Sequence, residues 1–299
     1  MSPIPLQKRS GSGTPPFWRR WWSHRPLGWG CEISSGGVAV ARWNGRGAEP
    51  DAAAWRPLAE GAVEPSPLRE NLTRPDEVRQ AIAGCLESLG RERDGKHSSP
   101  LLDAALLIPD PAARVFFLTL EAFPPRPADA IPLLRWKLKK SVPFDMEAST
   151  ISYAARQEAE GWRILAVVSP QAILRQYEAV VESAGLKPRL VTLSTLGALR
   201  LVPAGAGDSS SPPSASCLVA KFSPPWLTTA ILHAGTVCLF RCVALESAGA
   251  EELANPSRQI VEAIHPAAAY FQDTFGRSLE QAYLCGMESW AGAVADSLG

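Results

Sequence analysis

Between Leu101 and Phe144 the spacing of apolar residues changes period twice. Leu101 to Ile108 is a short apolar run closed by Pro109, the pattern of a buried strand. Arg114 to Leu120 is rich in β-branched and aromatic residues and is bounded by Pro111 and by Pro124-Pro125, which predicts a second strand. From Ala128 to Val142 the spacing becomes helical. Ile131, Leu134 and Leu138 fall on one face, while Arg135, Lys137, Lys139 and Lys140 crowd the rest. Pro132 is tolerated only in the first turn of that helix, and Pro143 ends it.

The same reading extends over the chain. Trp29 to Trp43 gives a strand, a Ser-Ser-Gly-Gly turn and a second strand, with a third between Ala53 and Val63. Pro75 to Leu89 is a helix with Val78, Ile82, Cys85, Leu86 and Leu89 on one face, Pro75 in its first turn and Asp76 and Glu77 at its positive end. Gly90 to Pro100 is a charged loop. Ile151 to Ala155 and Trp162 to Val168 form a hairpin about Glu160-Gly161. The next helix takes Ser169 as N-cap and Pro170 as first residue, buries Ile173, Leu174, Tyr177, Val181 and Ala184, and stops at Gly185. Leu190 to Leu193 is a short strand and Leu196 to Leu201 a helix. Ala204 to Ser216 is low in apolar bulk and rich in breakers, as a linker is. Cys217 to Leu245 holds strands CLVAKF, LTTAILHAG and TVCLFRCVAL. Pro256 to Phe275 is a helix that Pro266 should kink, Gln281 to Gly286 a last strand entering a turn, and Trp290 to Leu298 a short helix.

Two units match in order. Trp29 to Leu89 and Cys217 to Phe275 each read as three strands and a helix, which predicts a duplicated fold. Between them, from about Arg114 to Leu193, lies a strand–helix–strand–strand–helix–strand insert. Met1 to Ser23 is rich in Pro, Gly and Ser and runs into Phe17-Trp18-Arg19-Arg20-Trp21-Trp22. That cationic aromatic cluster suits the headgroup region of a membrane, or else packs on its own domain or is merely exposed.

Composition narrows the function. The 299 residues suffice for two domains and a substantial core without disulfides. Thirty basic and thirty acidic residues cancel, which argues against a general nucleic-acid binder and leaves room for a local basic patch. Cys31, Cys85, Cys217, Cys238, Cys242 and Cys285 form no C-x-x-C pair and read as buried free thiols in a reducing compartment. No apolar run approaches the roughly 18 residues of a membrane span, and the N-terminus has no continuous apolar core of a signal peptide, so the expectation is a cytosolic protein. His24, His97, His233 and His265 are scattered without metal-ligand spacing. There is no G-x-S-x-G, H-E-x-x-H or Walker A pattern. The basic face from Arg135 to Lys140 is either a solvated helix face or a contact for acidic protein or lipid.

A strand ending in Pro, an aromatic strand ending in Leu-x-x-x-Pro and a helix closing on Ser141-Val142-Pro143-Phe144 resemble the PilM family of type IV pilus assembly proteins, whose helix closes on Tyr-Ile-Pro-Phe. With the duplicated halves, the resemblance to the FtsA/PilM branch of actin-like ATPases spans Gly28 to the end. It implies an α/β fold, actin-like, with duplicated ribonuclease H-like halves and an inserted α+β subdomain. The divisions expected are a tail (1–27), the first half (28–110), the insert and connecting helix (111–203), a linker (204–216) and the second half (217–299). In the family a further strand and helix follow the position of Gly299.

Such proteins hold ATP and magnesium between the halves, in hairpin turns whose amides wrap phosphate and whose glycines permit close backbone approach. A carboxylate in the strand before the turn positions the metal through water. The family's first loop reads Asp-Ile-Gly-Ser-Ser-Ser-Val-Lys. This chain has Glu32-Ile33-Ser34-Ser35-Gly36-Gly37-Val38-Ala39, with Ser34 for the first glycine and Ala39 for the lysine. The second loop, Val-Asp-Ile-Gly in the family, is Val219-Ala220-Lys221-Phe222, and Pro224-Pro225 removes amide donors. The adenosine turn keeps Gly286 alone. Charge-assisted hydrogen bonds are worth about 1.5–3 kcal/mol each. Losing the lysine and the second-loop donors would cost roughly 4–6 kcal/mol, or about three to four decades of affinity. Glu32, Ser34, Ser35, Gly36, Gly37 and Gly286 are thus the candidate nucleotide-binding residues of a degenerate site. Ser34 to Gly37 also read as an ordinary hairpin turn.

What the resemblance implies is a cytoplasmic scaffold, peripheral to the inner membrane, that binds the cytoplasmic tail of a PilN-like membrane protein in a groove partly formed by the insert, with weak ATP binding or none and no catalytic residue or metal. It is expected to work with other pilus assembly proteins, to touch the membrane through Trp18, Arg19, Arg20, Trp21 and Trp22, and to bind no nucleic acid. An active actin-like ATPase and a GspL-like component of a type II secretion system are the alternatives.

Overall fold

The computed structural model describes residues 27–44, 50–91, 101–199, 216–245, 256–287 and 290–298. The tail cluster from Trp18 to Trp22, nearly all of the 204–216 linker and most of the 90–100 loop lie outside them.

In chain order the strands and helices are β1 (Trp29–Ile33), β2 (Gly37–Arg42), β3 (Ala52–Pro57), α1 (Pro75–Ser88), β4 (Leu102–Ile108), β5 (Arg114–Leu120), α2 (Pro127–Leu138), β6 (Ser149–Glu158), β7 (Gly161–Pro170), α3 (Gln171–Ser183), β8 (Leu186–Leu193), α4 (Ser194–Ala198), β9 (Cys217–Ser223), β10 (Trp226–His233), β11 (Thr236–Ala244), α5 (Ser257–Phe275), β12 (Gln281–Cys285) and α6 (Ala291–Leu298). The first sheet has the order β3-β2-β1-β4-β8 and the second β11-β10-β9-β12. In both, three antiparallel strands lead through a helix to a strand lying parallel beside the first. A parallel neighbour needs such a crossover, and α1 and α5 supply it. The duplication read from the sequence is present.

Strand β9 shows how the halves join. Cys217 and Val219 enter the same apolar cluster as Cys31, Ile33, Leu106 and Leu193 of the first sheet. Leu218, Ala220 and Phe222 point the other way, into a cluster with Ile260, Ile264 and Phe271 of α5. The period of two then places Lys221 on the face turned toward the first half.

A third sheet, β5-β7-β6, carries α2 on one side. Ala130, Leu134 and Leu138 pack on Ile151, Ile164, Ala166 and Val168. This sheet ends at Pro170, short of the 111–203 unit expected. Strand β8 returns to the first sheet in parallel register with β4, from Leu102↔Leu186 to Ile108↔Leu193, and α3 packs beside it.

Several local expectations shift. The α2 helix ends at Leu138, before Val142, and Pro132 sits in its second turn. Ser169 caps no helix: β7 runs through Pro170, and the Ser169 hydroxyl donates instead to the Ala112 carbonyl at 2.9 Å. The short strand expected at Leu190 begins at Leu186, and the third strand of the first half stops at Pro57. The α5 helix is continuous with Pro266 inside it.

Candidate functional site

The β1–β2 turn closes on itself. The Ser34 amide donates to the Gly37 carbonyl at 2.9 Å, and the Ser34 hydroxyl donates to the same oxygen at 2.9 Å. The Gly37 amide, an expected phosphate donor, gives its proton to Ser34 Oγ at 3.2 Å. A side chain has taken the place that phosphate oxygens would need. Gly37 is explained by packing: a Cβ there would lie 2.6 Å from the Arg56 carbonyl and 2.7 Å from the Trp55 indole nitrogen. Gly36 is exposed and faces open space.

Glu32, at the end of β1, reaches across to the second half. Its Oε1 lies 2.9 Å from Lys221 Nζ and also accepts from the Ser194 hydroxyl at the start of α4. Beside it is a second carboxylate. Asp110, buried in the turn after β4, accepts from the Thr195 amide at 3.0 Å and the Thr195 hydroxyl at 2.5 Å. Burial pushes its carboxyl above the ordinary range, opposed by those bonds, by Thr228 of β10 and by the charge of Lys221. For Lys221, burial works against the ammonium, but the charge and hydrogen bond of Glu32, then Asp110, outweigh it and raise the pKa. Glu32 is thereby bonded to the second half through Lys221, and Asp110 lies within reach of the same ammonium's charge.

These side chains line a cavity of about 10 Å³ together with Ser35, Ser223 and Trp226. That is space for about one water. Glu32, Ser34 and Ser35 are brought together there, whereas Gly36, Gly37 and Gly286 do not line it. Gly286 adopts φ +67°, and a Cβ on it would stand 2.2 Å from the Phe222 carbonyl. Its missing side chain lets two stretches of this protein touch. A magnesium–nucleotide does not fit these residues. Glu32 is already paired with an ammonium, the cavity has room for about one water, and the Gly37 amide already donates to Ser34 Oγ. Among the described residues no cluster of His, Cys, Asp and Glu could hold a metal ion.

Lys221, Asp110, Ser194, Thr195 and Thr228 escaped the sequence reading. A lysine inside the apolar strand CLVAKF was the available signal, because a buried ammonium demands a carboxylate partner.

A larger groove of about 500 Å³ opens elsewhere, between the third sheet and the first half. One wall is the face of β6 and β7 turned away from α2, with Thr150, Ser152 and Val167. The other carries Leu174 and Arg175 of α3 and Leu190 to Leu193 of β8. Strands β6 and β8 are each the last strand of their sheet. Apolar side chains make most of the lining, and Arg175 and Glu178 add charge.

Two related halves facing each other across a cleft, with a sheet-and-helix insertion in the first, define an actin-like α/β protein. No family model matches the chain, and no curated protein matches it in sequence. Among solved structures the fold is similar to that of the PilM–PilN type IV pilus biogenesis complex, with a TM-score of 0.70 at 18% identity over 92% of this chain and 87% of that one. The cytoplasmic domain of EpsL, an inner membrane component of the type II secretion system of Vibrio cholerae, matches with a TM-score of 0.48 at 12% identity over 86% of this chain and 81% of that one. A Bacteroides thetaiotaomicron protein with an actin-like ATPase fold gives 0.48 at 8% identity, over 90% and 86% of the two chains. At these identities the PilM–PilN likeness establishes the fold, which is the actin-like one expected from the sequence.

Proposed function

We propose that this chain is a cytoplasmic scaffold of a type IV pilus assembly machine, peripheral to the inner membrane, which binds the tail of a PilN-like membrane protein and neither needs nor hydrolyses ATP. The observation that carries this reading is the groove of about 500 Å³ between β6–β7 and β8–α3. An extended peptide gains backbone hydrogen bonds from strand edges and specificity from alternate side-chain pockets. Here β6 and β8 end their sheets, and Leu174, Val191, Leu193 and Leu196 offer an apolar floor. The self-closed Ser34 turn and the Glu32–Lys221 pair favour a scaffold over an ATPase. In this reading Trp18, Arg19, Arg20, Trp21 and Trp22 touch the membrane surface, and other pilus proteins assemble on the remaining faces.

The test is a titration of the full chain with the cytoplasmic tail peptide of its cognate PilN-like protein, followed by calorimetry. Saturable binding is expected, weakened more than tenfold by Leu174→Asp or Val191→Asp. A cognate tail that fails to bind, or that binds both variants as well as the parent, overturns the reading.

A further inference from the structure

The α2 helix has an outer end that its packing does not explain. Its inner face is fully committed: Ala130 and Leu134 are completely buried and Leu138 nearly so. Arg135 is turned back as well. Its guanidinium donates to the Met146 and Ser149 carbonyls and lies 3.6 Å from Glu147. The helix end is therefore braced from below, and what remains outside is held at a fixed angle.

What remains is Trp136 with Lys137, Lys139 and Lys140. Trp136 is 72% exposed, more than any other large apolar side chain described. Tryptophan is on average a well-buried residue, so an indole displayed this fully is the informative kind of exception. The Lys137 ammonium lies 5.5 Å from the centre of its ring. All three lysines are exposed, and none has a carboxylate within salt-bridge distance among the described residues. The acids that follow the helix are turned into their own loop: Asp145 accepts from the Glu147 amide, and Glu147 faces Arg135. Pro132, one turn before Trp136, is exposed too and adds apolar surface. Neither of the two cavities described above reaches this helix.

We propose that Trp136, Lys137, Lys139 and Lys140 form a docking surface for an anionic lipid bilayer, with the indole at headgroup depth and the lysines over acidic headgroups. Charge complementarity selects the partner's sign, and shape selects its class. A protein partner would gain from a concavity or a strand edge, and this convex helix end offers neither. A bilayer needs neither, since tryptophan favours the interface and each lysine near an anionic surface adds attraction. The surface is independent of the peptide groove, which is built from β6, β7, β8 and α3.

The experiment is co-sedimentation of the full chain with vesicles of phosphatidylcholine alone and of phosphatidylcholine mixed with phosphatidylglycerol, at low and high salt. Binding only to the mixed vesicles, weakened by salt, is expected. A lysine near such a surface is worth about fivefold, so K137Q/K139Q/K140Q should weaken binding by about a hundredfold. Brominated lipid should quench the parent's fluorescence more than that of Trp136→Phe. Melting temperatures of these surface variants should equal the parent's, which shows that they fold. A companion chain with W18S/W21S/W22S isolates the tail, and should still lose its remaining binding when the three lysines are replaced. Four results would overturn the proposal: no binding to mixed vesicles, equal binding to neutral ones, a triple-lysine variant that binds like the parent, or capture of polyglutamate peptide in place of vesicles.

Discussion

Replacing Lys221 by Met removes the ammonium that joins the two halves and leaves Glu32 with only the Ser194 hydroxyl. Removing one member of a buried ion pair costs about 3–5 kcal/mol, because the survivor is a desolvated charge. Glu32 retains 28% exposure of its side chain. Water can therefore rescue part of the loss, and about 2–3 kcal/mol is the expected cost. In a chain of this size that lowers the melting temperature by roughly 4–10 °C. Glu32→Gln should cost at least as much, since Lys221 is the more buried partner at 15%. The double variant Lys221→Met/Glu32→Gln buries no unpaired charge and should return to within about 1 kcal/mol of the parent. Differential scanning calorimetry of the four proteins gives the coupling energy directly. The same scans with magnesium and ATP add a second arm. A ligand a thousandfold above its Kd would stabilise the parent by about 4 kcal/mol, and no rise is expected at millimolar ATP. Independent, additive single variants would refute the clasp. A clear rise with ATP in the parent would refute the reading of the cleft.

Three further outcomes follow from the packing. Gly286→Ala puts a Cβ 2.2 Å from the Phe222 carbonyl at φ +67° and should cost more than about 2 kcal/mol, read by urea denaturation. His233 packs against Phe271 and Phe275 at 5.3 and 4.8 Å with its Nδ1 unpartnered among the described residues, and burial, then Arg277, lowers its pKa below 6.5. The unfolded chain therefore takes up the proton first, stability falls as pH drops below 6.5, and His233→Phe should flatten that acid limb in pH-dependent melting. Trp136→Ser, at an exposed position, should leave stability within about 0.5 kcal/mol in the same melts.

The periodic elements were legible because their burial is local to the element. Alternation in CLVAKF and helical spacing from Val78 to Leu86 each state which face is inside. The duplicated order of strands and helices likewise gave the fold. What escaped depends on partners far along the chain. Ser169 reads as a helix cap until its hydroxyl is seen on Ala112. The glycines of the candidate loops read as phosphate cradles, yet Trp55 and Arg56 stand beside Gly37, and Phe222 beside Gly286. Lys221 was read as a substitution in a motif, and its bond to Glu32, on the far side of the cleft, has no trace in local spacing. The groove lining joins residues from Ile108 to Leu196, so no single stretch announces it.

The buried bond from Ser169 to the Ala112 carbonyl, 2.9 Å long, sits where the chain enters and leaves the β5-β7-β6 sheet. Beside it, Arg114 pairs with Val168. The inserted sheet is thus stitched to the first half at this neck, and its β6 strand is tied separately to the second half, where the Arg156 guanidinium donates to the Ala234 carbonyl at 3.1 Å and to the Thr236 hydroxyl at 2.5 Å. The sheet therefore bridges both halves, and a shift of one half against the other would have to break or carry one of these two attachments.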